Sequence, residues 1–252
     1  MPEINNYEVF ENTRLTDTVF SLTVKCEEMA GKACAGQFLH VKCGSERLLR
    51  RPVSICSVKD GLLRMVFEVK GDGTRWLSER RRGDSLDIIG PLGNGFSFPE
   101  GEIAVVGGGI GVPPMLFAAK SAKGQVTAIL GFRDSSRIIL TDEFEPLCAD
   151  VIITTDDGSF GYHGAVTAPL TDLIETGDIG AVLACGPRAM LSAVAELCSQ
   201  NGVPCQVSLE ERMGCGVGAC MVCSCATIID GKEHMSRVCK DGPVFDAGMV
   251  AW

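Results

Sequence analysis

The chain is predicted to be a mixed β and α/β protein in three parts: an N-terminal antiparallel β-barrel, a parallel α/β domain and a small cysteine-rich C-terminal domain. Three observations carry that prediction. Phe20, Leu22, Val24 and Cys26 alternate with Ser21, Thr23 and Lys25, the period of a half-buried strand. Beyond about residue 101, short apolar runs alternate with helical stretches, the rhythm of a parallel sheet covered by helices. Near the C-terminus, Cys215, Cys220, Cys223 and Cys239 stand in the spacing C-x4-C-x2-C-x15-C.

Taken in order, residues 1–98 hold several short strands. The run 37–42 follows the alternating segment, and the runs 53–58 and 62–69 flank Lys59-Asp60-Gly61, a hairpin signal. Residues 85–89 add another strand before Gly90-Pro91. Short strands with turn signals close most simply into a small barrel. Residues 99–210 bring buried strands at 103–106, 126–130, 151–155 and 181–184, with helices at 113–120 and 188–200. Residues 211–252 are rich in glycine and cysteine and poor in core material, so a metal is expected to organise them.

Composition removes several function classes. The net charge of −9, with no basic patch interleaved with aromatics, argues against nucleic acid or an anionic membrane as partner. No apolar run approaches the roughly 20 residues that span a bilayer. The start, Met1-Pro2-Glu3-Ile4-Asn5-Asn6, has no basic segment followed by an apolar one, so a cytoplasmic chain with reduced thiols is expected. Outside the C-terminal set, Cys26, Cys34, Cys43, Cys56, Cys148, Cys198 and Cys205 then behave as small apolar residues.

The first three cysteines of the C-terminal set reproduce the plant-type [2Fe–2S] ligand run, and Cys239 supplies a fourth thiolate. Gly214, Gly216, Gly218 and Ala219 let backbone N–H groups approach the sulfurs. Structural zinc is the competing reading. Its thiolates usually come as paired C-x2-4-C units, whereas here three crowd together and the fourth stands alone. Cys225 is a fifth thiol, only two positions beyond Cys223, and is read as pointing away from the metal. His40, His163 and His234 show no ligand spacing and are read as surface or structural residues.

Two further segments suit nucleotides. Gly107-Gly108-Gly109-Ile110-Gly111 follows a strand and opens a helix, where glycine lets backbone N–H groups approach a pyrophosphate. Val112 departs from the G-x-G-x-x-G pattern. Arg50-Arg51-Pro52-Val53-Ser54 opens a barrel strand, with an arginine suited to phosphate and a serine suited to a flavin edge. Gly71-Asp72-Gly73-Thr74 is a glycine-rich turn before a short helical pattern.

On these residues the chain resembles the ferredoxin reductase superfamily. Arg51-Pro52-Val53-Ser54 looks like its flavin motif, 107–114 like its pyridine-nucleotide loop, and Cys185-Gly186-Pro187 like its C-G-P motif near the nicotinamide. A closer resemblance is to the electron-transfer subunits of class B dihydroorotate dehydrogenases. It is carried by Arg51-Pro52-Val53-Ser54, by Gly90-Pro91-Leu92-Gly93-Asn94-Gly95-Phe96, by 210–220 and by Val238-Cys239-Lys240-Asp241-Gly242-Pro243-Val244-Phe245. The resemblance implies a flavin-binding barrel over 1–98, an NAD-binding domain over 99–210 and a [2Fe–2S] domain over 211–252. It implies FAD contacts at Arg51, Pro52, Val53, Ser54, Val66, Phe67, Glu68, Gly73 and Thr74. NAD contacts fall at Gly107, Gly108, Gly109, Gly111, Cys185, Gly186 and Pro187, and cluster ligands at Cys215, Cys220, Cys223 and Cys239. Glu68 stands where relatives often carry arginine; beside a pyrophosphate it is expected to offer only its backbone.

The same resemblance implies a function. Electrons would pass between NAD and the FMN of a separate dihydroorotate-oxidising subunit, through FAD and the cluster, in an assembly of two of each chain serving pyrimidine biosynthesis. No catalytic residue is assigned to this chain. Met221, Val222, Val244 and Phe245 are expected to face that partner. One alternative is the small FAD/[2Fe–2S] subunit of a bifurcating NAD(P)H:ferredoxin oxidoreductase or hydrogenase; another is a zinc-stabilised nucleotide-binding regulator. Arg133 follows the strand at 126–130 and could meet a 2′-phosphate, which leaves NADH against NADPH open.

Overall fold

The computed structural model describes residues 3–252, apart from Arg47 and Asp178. Its first body comprises β1 (Glu3–Arg14), β2 (Val19–Lys25), α1 (Glu27–Lys32), β3 (Phe38–Val41), β4 (Arg51–Lys59), β5 (Leu62–Glu68), α2 (Asp72–Ser78) and β6 (Ser85–Leu92). The six strands close into a barrel in the order β1-β2-β5-β4-β3-β6. Alternate side chains fill it: Leu22 and Val24 from β2, Leu63 and Met65 from β5, Leu86 and Ile88 from β6 are all buried. Asp60 and Gly61 both take positive φ between β4 and β5, the requirement of the tight hairpin turn their sequence signalled.

Two barrel elements escape the sequence pattern. β1 reads as a polar segment because Tyr7 and Val9 are its buried apolar side chains among asparagines, glutamates and other exposed residues. β6 does not stop at Gly90 but continues to Leu92.

The second body follows as β7 (Ile103–Gly108), α3 (Val112–Ser121), β8 (Val126–Phe132), α4 (Thr141–Phe144), β9 (Asp150–Thr155), β10 (Tyr162–His163), α5 (Thr167–Glu175), β11 (Ala181–Cys185), α6 (Arg188–Gln200) and β12 (Cys205–Ser208). The rest of the chain forms a hairpin of β13 (Ser224–Ile229) and β14 (Lys232–Arg237), then β15 (Val244–Asp246). The large sheet runs β10-β9-β8-β7-β11-β12-β15. Its strands are parallel except for β15, which pairs antiparallel with β12. The expectation of an α/β sheet holds, with that one antiparallel edge added by the C-terminal segment.

Helix α3 is buried from Val112 to Ala119 on every side. A helix that is apolar all round belongs inside a protein, and α3 lies between barrel strand β4 and sheet strand β7. Among the described residues no helix is long and apolar enough to cross a membrane. Cys26, Cys43, Cys56, Cys198 and Cys205 are buried as expected, whereas Cys34 is exposed and Cys148 only half-buried.

Candidate functional site

The barrel contributes its strand β4. In register with β3, Arg51 lies opposite Val41, Pro52 opposite His40, Val53 opposite Leu39 and Ser54 opposite Phe38. Arg50 is committed elsewhere: it donates to the Asp87 carboxylate at 2.8 Å and to the Asp87 carbonyl at 3.0 Å. Arg51 instead crosses the start of α2, where a Cβ on Gly73 would come within 2.5 Å of its Nε. Two segments distant in sequence are thus brought into contact, and a larger residue at 73 would push the Arg51 guanidinium aside. The Thr74 hydroxyl is occupied locally, accepting from the N–H groups of Lys70 and Gly71 and donating to the Gly71 carbonyl.

Val66 and Phe67 are buried, with Phe67 stacked on Phe20 at 6.2 Å between ring centres. Any contact they make with a ligand therefore runs through their backbone. Glu68 is not a bare carboxylate. It accepts from Arg137 at 3.1 Å, a residue that follows β8, and it lies 3.4 Å from Lys70. The repulsion expected of this residue is offset by two cations.

The α/β domain contributes the C-terminal ends of β7 and β11, which are neighbours with Gly107 opposite Cys185. The chain leaves β7 toward β8 on one side and returns at β11 on the other. That reversal opens a crevice at the strand ends, the place where open α/β sheets bind ligands. The crevice walls are packed too closely for side chains. A Cβ on Gly111 would clash with the Cys185 carbonyl, one on Gly108 with Met190 Sδ, and one on Gly186 would lie 2.6 Å from the Met190 methyl. Pro187 caps α6 directly beyond. Burial pushes the Cys185 thiol up to about 12, against a smaller opposing effect from Ser208, so it is a neutral thiol. Arg133 stands exposed just past β8.

The ligand loop is held by its own amides. The Val217 and Ala219 N–H groups donate to Cys215 Sγ at 3.4 and 3.2 Å, and Gly218 N–H donates to Cys239 Sγ at 3.1 Å. Cys215 N–H donates to Cys220 Sγ at 3.3 Å, and Cys239 N–H to Cys223 Sγ at 3.4 Å. The sulfurs therefore fall into two pairs, Cys215 with Cys220 and Cys223 with Cys239. Two pairs suit two irons. Four thiolates in two pairs, with backbone N–H groups turned onto the sulfurs, suit a binuclear cluster. Burial works to raise the Cys215 thiol, but the donors from Val217, Cys220 and Ala219 outweigh it and bring it down to about 6.

Positive φ at Gly216 and Gly218 bends the loop, and Arg237 braces it, donating to the Gly218 carbonyl at 3.1 Å and to Asp241 at 2.9 Å. Cys225 lies on β13 opposite Ser236 and is buried, as are Cys223 and Cys239.

Two expectations need correction. Val244 and Phe245 do not face outward: both are buried on β15, with Phe245 opposite Val207 of the sheet. Met221 and Val222 are exposed, at 49% and 58%. His40 is neither a surface residue nor a satisfied core one. It is fully buried, and neither ring nitrogen has a partner in hydrogen-bond geometry. Burial first, then the Arg50 guanidinium, hold its imidazole down to about 4, although the Cys215 and Arg50 backbones approach closely enough to favour the protonated form.

All three bodies meet at one cleft of about 680 Å³, the size of a cofactor site. Its walls include Arg51 and Pro52 from the barrel, Gly186 and Pro187 from the sheet edge, and Glu211 and Met213 from the segment entering the ligand loop. Leu49, Arg188 and Leu191 also line it and carry no motif of their own, and Arg212 joins them from the 210–220 segment. Their signal was adjacency: each lies within a few residues of a motif.

Residues 210–251 match the family model of the iron-sulfur cluster binding domain of dihydroorotate dehydrogenase B. The chain is 40% identical over 244 residues to the dihydroorotate dehydrogenase B (NAD(+)) electron transfer subunit of Caldanaerobacter subterraneus subsp. tengcongensis, covering 96% of each. It is 39% identical over 256 residues to the protein of the same name from Bacillus pumilus, again covering 96% of each.

The chain belongs to the dihydroorotate dehydrogenase B electron transfer subunit family.

This family membership agrees with the fold. A chain of the electron-bifurcating NADH-dependent reduced ferredoxin-NADP oxidoreductase superposes with a TM-score of 0.88 at 31% identity, covering 98% of this chain and 90% of that one. The ferredoxin reductase of carbazole 1,9a-dioxygenase shares the fold alone, at a TM-score of 0.69 and 22% identity over 81% of this chain and 67% of that one.

Proposed function

We propose that this chain is the electron-transfer subunit of an NAD-dependent dihydroorotate dehydrogenase, carrying electrons between NAD and a catalytic partner subunit in pyrimidine biosynthesis. The single observation that carries the reading is the shared cleft, where the flavin strand, the C-G-P turn and the entry to the ligand loop line one cavity. FAD would supply the exchange between two-electron and one-electron transfer, and the [2Fe–2S] cluster would supply single-electron transfer.

The chain's residues divide the labour. Arg51, over Gly73, sets the guanidinium where a phosphate is to be held, and Pro52, Val53 and Ser54 line the strand beside the flavin ring. Val66, Phe67, Glu68 and Thr74 contribute backbone at the barrel rim. Gly107, Gly108, Gly109 and Gly111 keep the sheet edge bare so that a dinucleotide can lie against it. Cys185, Gly186 and Pro187 form the floor under the nicotinamide, with the neutral thiol excluding charge from it. Cys215, Cys220, Cys223 and Cys239 hold the cluster, and the amides of Val217, Gly218 and Ala219 stabilise charge on the sulfurs.

The partner is an FMN-containing subunit that oxidises dihydroorotate, with two of each chain in a cytoplasmic assembly. Met221 and Val222, exposed beside the ligands, are the apolar residues placed to meet it. The reading divides the chain into a flavin domain over 1–98, a nucleotide domain over 99–210 and a cluster domain over 211–252. The full-length relatives favour this reading over the alternative of a bifurcating oxidoreductase subunit, which would have a ferredoxin-reducing large subunit as its partner.

An anaerobic visible spectrum tests the first part. Flavin bands with a broad iron–sulfur shoulder, bleached by NADH, are expected; a colourless zinc protein overturns it. Reconstitution tests the second. The FMN subunit with this chain should reduce NAD⁺ with dihydroorotate, and failure there with success on ferredoxin moves the alternative to the front.

A further inference from the structure

His40 stands between the two halves of the electron path, and nothing in the proposed function uses it. Its backbone lies opposite Pro52 in the flavin strand. Its ring reaches the ligand loop: a Cβ on Gly216 would come within 2.5 Å of His40 Nδ1. The ring is fully buried, and both nitrogens lack a hydrogen-bond partner. A buried polar atom without a partner is uncommon and costly, and it points to a group it is meant to meet. A neutral imidazole has one donor and one acceptor to place.

The loop beside it has little else to hold it. Gly216, Gly218 and Ala219 offer almost no side-chain packing, and the Arg237 brace acts on the Gly218 carbonyl rather than on the Cys215 side. Yet the loop amides donate to Cys215 and Cys239, and such N–H···S bonds set the properties of a cluster. Moving the 215–216 peptide would move them all.

We infer that His40 is a positioning residue for the cluster loop: the ring nitrogen facing Gly216 is placed to donate to the Cys215 carbonyl once the cluster is loaded, and so to keep the ligand amides in register with the flavin strand. This inference rests on the cluster reading above. It makes residue 40 a buried polar side chain joining the flavin strand to the first ligand, and it assigns that side chain the tuning of electron flow between them rather than substrate contact.

The test uses the full chain with His40→Phe and His40→Asn. Phenylalanine keeps the ring and removes the nitrogens; asparagine keeps a polar donor near the position of Nδ1. Readouts are FAD and iron content, the electron paramagnetic resonance spectrum of the reduced cluster, and the potential of the cluster relative to FAD. His40→Phe should keep FAD, alter the spectrum and shift the flavin–cluster electron partition about tenfold, about 59 mV for a one-electron couple. His40→Asn should return most of the way to the parent values. Cluster loss in His40→Phe with retention in His40→Asn supports the same role. A His40→Phe protein with the parent spectrum and potential overturns it, as does equal disturbance in both variants, which would assign the effect to ring volume. A parent chain with no cluster fails the functional reading itself, a result distinct from either.

Discussion

Arg64 of β5 reaches out of the barrel and grips Glu143 of α4, with Nη1 at 2.7 and 2.8 Å from the two carboxylate oxygens. Its Nε donates to Ser21 Oγ on the neighbouring barrel strand at 2.7 Å, so the guanidinium is aimed from both sides. With the Arg137–Glu68 pair, the barrel and the α/β domain are tied by ion pairs at two points. The cleft between these bodies depends on their relative position, and these contacts fix it.

Glu143→Gln should therefore loosen the pairing of domains without unfolding either. Both side chains are partly exposed, which limits the pair to about 1 kcal/mol. For a chain of this size the melting midpoint should fall by about 2–4 °C. The difference should shrink near 1 M salt, where the screening length drops to about 3 Å. Calorimetry at low and high salt checks both statements; an equal loss at both would show that charge is not the cause.

Gly111→Ala should damage the nucleotide crevice. The new methyl meets the Cys185 carbonyl, which is backbone and cannot rotate aside. Overpacking of this kind costs about 1–3 kcal/mol, and the strain falls on the β7–β11 seam. NADH affinity should drop by about tenfold or more, read by titrating flavin reduction, while iron content stays that of the parent.

Phe245→Asp and Val222→Asp should separate folding from surface. Phe245 is only 7% exposed, so an aspartate there buries an unpaired charge and should abolish the cooperative transition. Val222 is 58% exposed, and its change should stay within about 0.5 kcal/mol of the parent stability. Thermal melts decide the comparison, and gel filtration of Val222→Asp with the catalytic partner then reads association alone.

Buried thiols should resist alkylation. Burial pushes Cys56 up to about 12 from an ordinary 9.0. Since the thiolate is the reactive form, raising the value suppresses it at pH 8 by about a thousandfold. Iodoacetamide at that pH should label exposed Cys34, which lies outside the proposed ligand set, well before Cys56, as peptide mass spectrometry would show. The same shift has a stability consequence. For Cys56 the folded state holds its proton to higher pH than the unfolded one, so the contribution is intact below about pH 9 and is lost as pH rises from there toward 12. An alkaline melt series with Cys56→Ser as the comparison measures it.

Much of this protein was legible without coordinates. The spacing of Cys215, Cys220, Cys223 and Cys239 is a local pattern, because loop amides and thiolates lie close along the chain. The glycine loop after β7 and the Asp60-Gly61 turn are local as well, since each answers to backbone geometry over a few residues. Strand β1 was not legible, because its buried side chains are too few among polar neighbours to show a period. Glu68 read as a liability because the cation that pairs it, Arg137, comes from another domain.

The sequence by itself determined the three-part fold, and it supplied the cysteine spacing and glycine segments from which the cluster and nucleotide sites are proposed, because these depend on periodicity and short spacing. Tertiary structure alone decided the single cleft, the burial of Phe245 against β12, and the meeting of His40 with Gly216. Each of those joins residues from separate elements, and what a side chain faces across such a distance is settled by strand order and packing, which no local pattern encodes.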